Sequence, residues 1–176
     1  MSLLEEHDVI IRRALASAGG REVKHTGDGV MASFDEAANA LACALEIQSG
    51  FGARIAAGRK PECRVRIGLA AGEPVDHNDD LFGATVNLAR RLCDVAEPGS
   101  ILVSDVVYRA GAGAGFSFGK ADTRALKGFS SPVSVYELVP SLPVAREGAP
   151  PPGGQGAGGR RGLVPRVRAL LRRRSA

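Results

Sequence analysis

The sequence predicts an α/β or α+β domain in which short strands alternate with amphipathic helices. Apolar residues recur at helical spacing in segments that begin near residues 3, 35 and 84. Between them lie short runs rich in Val, Ile and Leu, bounded by Gly, Pro and Asp. Of the 176 residues, 44% are hydrophobic and 24% charged, which excludes wholesale disorder and supplies enough material for one core. No apolar run approaches the ~18 residues that a membrane-spanning helix needs. The N-terminus MSLLEEHDVI carries acid, not base, ahead of its apolar residues, so it does not read as a signal peptide. A cytoplasmic protein is expected.

Each element has its own local cause. From Leu3 to Ala18, Leu4, Ile11 and Leu15 recur at helical spacing, and Gly19-Gly20 supplies the stop. Arg21 to Thr26 and Val30 to Phe34 flank Gly27-Asp28-Gly29, which predicts a β-hairpin. Asp35 is placed to cap a long Ala-rich helix reaching about Ala57, with Gly50 and Gly52 as points where it could end early. Arg64 to Ala70 is a strand leading into a polar loop from Gly72 to Gly83. A second amphipathic helix runs from Ala84 to about Val95 and closes at Glu97-Pro98-Gly99. Ile101 to Val103 is a short buried strand, and Ser104 caps a helical turn through Tyr108. Phe116 to Phe118 and Pro132 to Leu138 are the last strands.

Charge is unevenly placed. The formal charge is +4, yet residues 140–176 hold eight Arg and the single acid Glu147, a net +7. That leaves 15 basic and 18 acidic groups, net −3, in residues 1–139. The domain is therefore expected to span 1–139. Residues 140–176 form a Pro/Gly/Arg-rich tail, read as disordered, with Leu163 to Arg174 able to form a short basic helix. Weak contact with an anionic membrane surface is the sharper reading of that tail. Its lack of aromatic residues argues against specific nucleic-acid binding. Cys43, Cys63 and Cys93 are far apart and do not combine with His7, His25 or His77 at zinc spacing, so they read as buried free thiols.

Two constellations could carry chemistry. On the hairpin, alternation puts Lys24, Thr26 and Asp28 on one side, and the flanking glycines leave room for a metal ion or phosphate. The same Gly-Asp-Gly is equally a plain hairpin turn. On the helix after Asp80, Asn87 and Arg91 stand four residues apart and share a face. Together they can address a ribose and a phosphate, because Arg makes forked bonds to phosphate oxygens. A solvated helix face with a nearby carboxylate is the alternative.

Taken in order, Glu22 to Gly29, Val65 to Leu69, Asp80 to Arg91, Pro98 to Ser104, and Leu126-Lys127-Gly128 followed by Val133 to Tyr136 resemble the class III nucleotidyl cyclase (adenylate/guanylate cyclase) catalytic domain. The resemblance covers residues 5–138. It implies a ferredoxin-like βαββαβ-type fold, and a site shared between two subunits of a homodimer or with another cyclase chain. It implies that Asp28 is one of two carboxylates holding two Mg²⁺ or Mn²⁺ ions, and that Lys24 and Asp80 read the purine. The Lys/Asp pair resembles the adenine-selecting version, making ATP the expected substrate and cyclic AMP with pyrophosphate the expected products. Asn87 would orient the ribose, Arg91 would steady charge on the α-phosphate, and Lys127 would face the terminal phosphates.

One part of the pattern is missing. The resemblance implies a central first strand, with the other metal-binding Asp in a Phe-x-Asp-Ile pattern, and no such stretch occurs in the chain. Asp8 cannot replace it, because it lies within the first helix. Relative to the family the chain thus reads as truncated at its N-terminus, with unpaired strand edges where that strand would lie. Little or no cyclase activity of the chain alone is expected. Two functions stay open: a cyclase that makes cyclic AMP, or an inactive cyclase-like module that binds nucleotide or dimerises.

Overall fold

The computed structural model of the chain describes residues 3–25, 29–60, 62–72, 75–77, 80–140 and 167–175. Helix α1 (Leu3–Ser17) leads into the hairpin of β1 (Arg21–His25) and β2 (Gly29–Phe34), then α2 (Ala37–Ala56) and β3 (Cys63–Ala71). A small ladder of β4 (Val75–His77) and β5 (Asp80–Phe82) precedes α3 (Ala84–Val95) and β6 (Ile101–Ser104). Helix α4 (Asp105–Gly113), β7 (Ser117–Phe118), β8 (Asp122–Arg124), β9 (Val133–Val139) and β10 (Val167–Ser175) complete the series. The architecture is mixed α+β, as the alternation of elements predicts. Among the described residues no helix is long and apolar enough to cross a membrane.

The main sheet has the order β1-β2-β10-β3-β6-β9-β7, with β8 also pairing β9. One face carries the larger core, where Ile11, Ala14 and Leu15 of α1 and Leu41, Ile47 and Phe51 of α2 meet Val30, Phe34, Val65, Ile67 and Leu69. The opposite face packs Ala89, Leu92 and Cys93 of α3 against Met31, Ala70, Leu102, Leu126 and Val135. Strand β3 serves both faces, and all of it but Arg64, Arg66 and Ala71 is buried.

At Gly68 the backbone of α3 lies so close to the sheet that a Cβ would run into the Ala89 carbonyl oxygen and the Cys93 backbone nitrogen. Only glycine fits there. The Cys93 thiol then donates to the Arg66 carbonyl oxygen at 3.3 Å, fastening helix to strand a second time.

Several local expectations need correction. Residues 167–175, expected in a disordered tail or short helix, form β10 at the centre of the sheet. The edges expected to be unpaired are therefore paired: β10 runs antiparallel to β2 over Val167↔Phe34 to Arg172↔Gly29, and to β3 over Val167↔Ala71 to Ser175↔Cys63. The physical reason is that two buried neighbouring strands each leave a row of backbone donors and acceptors, which any extended segment can satisfy. Residues 141–166 lie outside the described residues. Glu36, not Asp35, holds the N-cap of α2 and makes no side-chain capping bond. That helix continues through Gly50, which lies against Ile10 of α1. Ser104 holds the N-cap of α4 without a side-chain capping bond, and the helix extends beyond Tyr108 to Gly113. The polar loop after residue 72 contains the β4–β5 ladder.

Cys43, Cys63 and Cys93 are buried thiols outside any disulfide, as expected. Burial, reinforced by the nearby Glu46 carboxylate, pushes the Cys43 thiol up to about 12. Alkylation of the native protein at pH 8 should therefore leave Cys43 unmodified, whereas the urea-unfolded chain reacts at all three; mass spectrometry of digested protein distinguishes them. Gly68→Ala should lower stability by about 1–3 kcal/mol, measured by urea denaturation, because the atoms in the way are all backbone and cannot swing aside.

Candidate active site on helix α3

Helix α3 faces the sheet with Thr85, Ala89, Leu92 and Cys93, spaced as one apolar stripe. That stripe fixes the orientation of the remaining positions. Asn87 is exposed, and Arg91, one turn further on, is half-buried at the flank of the stripe. Arg91 Nε donates to the Lys127 carbonyl oxygen at 3.0 Å, and its Nη1 lies 3.2 Å from Asp94 Oδ2. The guanidinium is thus held by two acceptors on different elements, with its side chain 31% exposed.

The Lys127 carbonyl is itself held in place. Leu126 is buried in the second core, Gly128 adopts φ 91°, and the Phe129 N–H donates to the Leu126 carbonyl oxygen at 3.1 Å. A turn that needs a left-handed residue at its third position explains the glycine in Leu-Lys-Gly. Its consequence is that the Lys127 carbonyl points at α3, while the Lys127 residue stays exposed.

Lys24 is exposed on β1 and registers with Met31 of β2 across a ladder that shifts between Glu22 and Lys24. Met31 belongs to the same core as Ala89 and Leu92, so this register places Lys24 on the α3 side of the sheet. The backbone of Asp80 pairs with His77 in the β4–β5 ladder. Asp28 lies outside the described residues. His25, at the end of β1, has its Nε2 3.6 Å from Asp8 Oδ1 of α1, so the carboxylate of Asp8 is turned to the hairpin and not to α3.

The structure therefore brings together Asn87, Arg91 and the Lys127 backbone, with Lys24 on the same side of the sheet. Sequence reasoning missed Asp94 as the partner of Arg91. Its signal was available, since opposite charges three apart on a helix are neighbours. The carbonyl of Lys127 had no such signal, because a backbone acceptor is invisible in side-chain spacing. A separate cavity of about 610 Å³, lined by Leu45, Gln48, Ile101, Phe116 and Leu138 among others, contains none of these residues. It lies beside α2 and β9, away from α3, so the placed polar groups, not the volume, mark the candidate site.

The metal pair that the sequence implies finds no complete set of ligands here. Among the described residues no three His, Cys, Asp or Glu side chains converge as metal ligands. The strand beside β2, VRALLRRRS, contains no carboxylate at all. Hard divalent cations take oxygen ligands, so arginines there do not fit them.

The family profile described as the adenylate and guanylate cyclase catalytic domain matches residues 1–139. An adenylate/guanylate cyclase/hydrolase from Silicibacter pomeroyi superposes with a TM-score of 0.71 at 37% identity, covering 79% of this chain and 84% of that one. The adenylyl cyclase CyaB from P. aeruginosa gives 0.64 at 25% identity, over 80% and 82% of the two chains. Putative adenylate cyclase 3 from Rhizobium meliloti is 41% identical over 93 residues, which are 51% of this chain and 15% of that protein. The chain belongs to the adenylate and guanylate cyclase catalytic domain family. It spans about a third or less of the length of the curated relatives it matches.

Arg91→Ala should free the Lys127 carbonyl and lower stability by about 1 kcal/mol in urea denaturation. Arg91→Lys should recover only part of that, because one ammonium cannot reproduce two divergent N–H bonds from a planar fork.

Proposed function

We propose that the chain is the substrate-reading half of a nucleotide cyclase that forms cyclic AMP from ATP with release of pyrophosphate. The observation that carries this reading is Arg91, held by Lys127 and Asp94 one turn after an exposed Asn87. A guanidinium fixed before substrate arrives loses little freedom when charge develops on the α-phosphate, which is the condition for electrostatic stabilisation. Asn87 orients the ribose so that its 3′-hydroxyl lies in line with that phosphorus, a positioning effect. Lys24 and Asp80 read the adenine edge, Lys donating to a ring nitrogen and Asp accepting from the exocyclic amine. Lys127 faces the terminal phosphates, and a second cyclase subunit, identical or not, supplies the remainder of the site. The adenylate cyclase named among the relatives supports ATP over GTP.

Two divalent ions would supply deprotonation of the hydroxyl and neutralisation of the leaving group. The sequence holds Asp28 but no Phe-x-Asp-Ile stretch to carry the second carboxylate. That observation favours a second reading, in which this chain binds nucleotide or dimerises and turns over only when paired with a chain that brings the missing carboxylate.

Mixing tests both readings. The purified chain with Mn²⁺ and ATP should form little cyclic AMP. Adding a cyclase whose own equivalent of Arg91 has been replaced should restore production through mixed dimers. With Arg91→Ala in this chain the restoration should fall on the order of 10²-fold or more, by comparison with other lost transition-state donors. No restoration, together with no binding of a non-hydrolysable ATP analogue in calorimetry, would reject both readings.

A further inference from the structure

Strand β3 turns Arg66, Gly68 and Ala70 toward α3, alternating with Val65, Ile67 and Leu69, which face the larger core. Gly68 meets the helix at Ala89 and Cys93. Arg66, two residues earlier in the strand, meets the end of the helix, where its Nη1 donates to the Asp94 carbonyl oxygen at 3.3 Å. That carbonyl belongs to the last turn of α3, whose carbonyls have no partner within the helix. A guanidinium at this place also faces the negative end of the helix dipole. The Cys93 thiol donates to the Arg66 carbonyl oxygen at 3.3 Å, so the side chain and the main chain of Arg66 hold adjacent residues of α3.

The residue held in this way is the one that holds Arg91. Asp94 accepts from Arg66 through its main chain, and its Oδ2 lies 3.2 Å from Arg91 Nη1. Helix ends fray unless they are tied down. Fraying at Asp94 would withdraw one of the two acceptors of the Arg91 guanidinium and leave only the Lys127 carbonyl. Cohesion alone gives a poor account of Arg66. Its Nε is buried and has no hydrogen-bond partner among the described residues, a penalty that an apolar side chain of similar length would not carry.

We propose that Arg66 is a positioning residue for the phosphoryl-transfer step. It anchors the last turn of α3 and, through Asp94, holds Arg91 where charge develops on the α-phosphate; it does not itself touch the nucleotide. The part of this inference that concerns the reaction rests on the cyclase reading above. The coupling of Arg66 to Arg91 stands without it.

The Arg91 Nε–H, followed by ¹⁵N NMR of the full chain, tests that coupling directly. In the unaltered protein it should exchange slowly with water. Arg66→Met, which keeps the apolar stem and removes the guanidinium, should speed that exchange by about tenfold while backbone amides in the middle of α3 stay protected. Arg66→Lys, which keeps a donor for the same carbonyl, should restore most of the protection. Unchanged exchange in Arg66→Met, equal loss in both variants, or loss of protection along the whole of α3 would each overturn the proposal. In mixed dimers, Arg66→Met should lower kcat by about tenfold and leave KM for ATP unchanged, the mark of an interaction made only in the transition state. A raised KM at unchanged kcat would overturn the positioning role. Absence of turnover with the unaltered chain would count against the cyclase reading, and the exchange measurement would still decide the coupling.

Discussion

The close approach of α3 to β3 at Gly68 governs the geometry of everything on the α3 side of the sheet. Because the Ala89 carbonyl and the Cys93 nitrogen occupy the space of a Cβ, helix and strand meet backbone to backbone. That contact fixes the depth and rotation of α3. Rotation in turn sets which residues emerge at the flank, and so brings Arg91 within reach of the Lys127 carbonyl. A larger residue at position 68 would lift the helix and move every polar group it carries. The interior tolerates little of this, since packed layers shift together.

The same strand explains why the sheet needs an occupant between β2 and β3. Every residue of β2 is buried, and β3 is buried along most of its length. Left apart, the two strands would expose rows of unpaired backbone groups next to two hydrophobic cores. Strand β10 satisfies that demand with backbone atoms, which are the same in any sequence. Beyond Leu171 its sequence continues as Arg172, Arg173 and Arg174, in backbone register with Arg66, Val65 and Arg64.

Net charge acquires a different meaning in this light. The +4 of the whole chain is the difference between a body of −3 and a C-terminal segment of +7. Part of that positive charge lies within the sheet and not beyond it, since β10 contains four of the arginines. On the proposed function, attraction for ATP rests on a few placed cations, Arg91 and Lys24 above all, and not on the net charge. Field strength at a site depends on where charges are held more than on their sum.

Sequence alone determined much of this protein. Periodicity located α1, α3 and the strands at 64–70 and 132–138, because burying one face imposes a repeat that any short window reveals, and the Gly-Asp-Gly turn located the β1–β2 hairpin. The ordered motifs identified the cyclase family, and the four-residue spacing of Asn87 and Arg91 gave their shared face. Tertiary structure alone decided the rest. The role of Gly68 depends on a helix that is distant in sequence, and the acceptor at Lys127 is a main-chain atom with no signature of its own. The position of β10 depended on a vacancy between two strands far upstream, where backbone hydrogen bonding outweighed a composition that read as unfolded. Local pattern reports what a segment can do by itself; pairing across the sheet depends on what its neighbours leave unsatisfied.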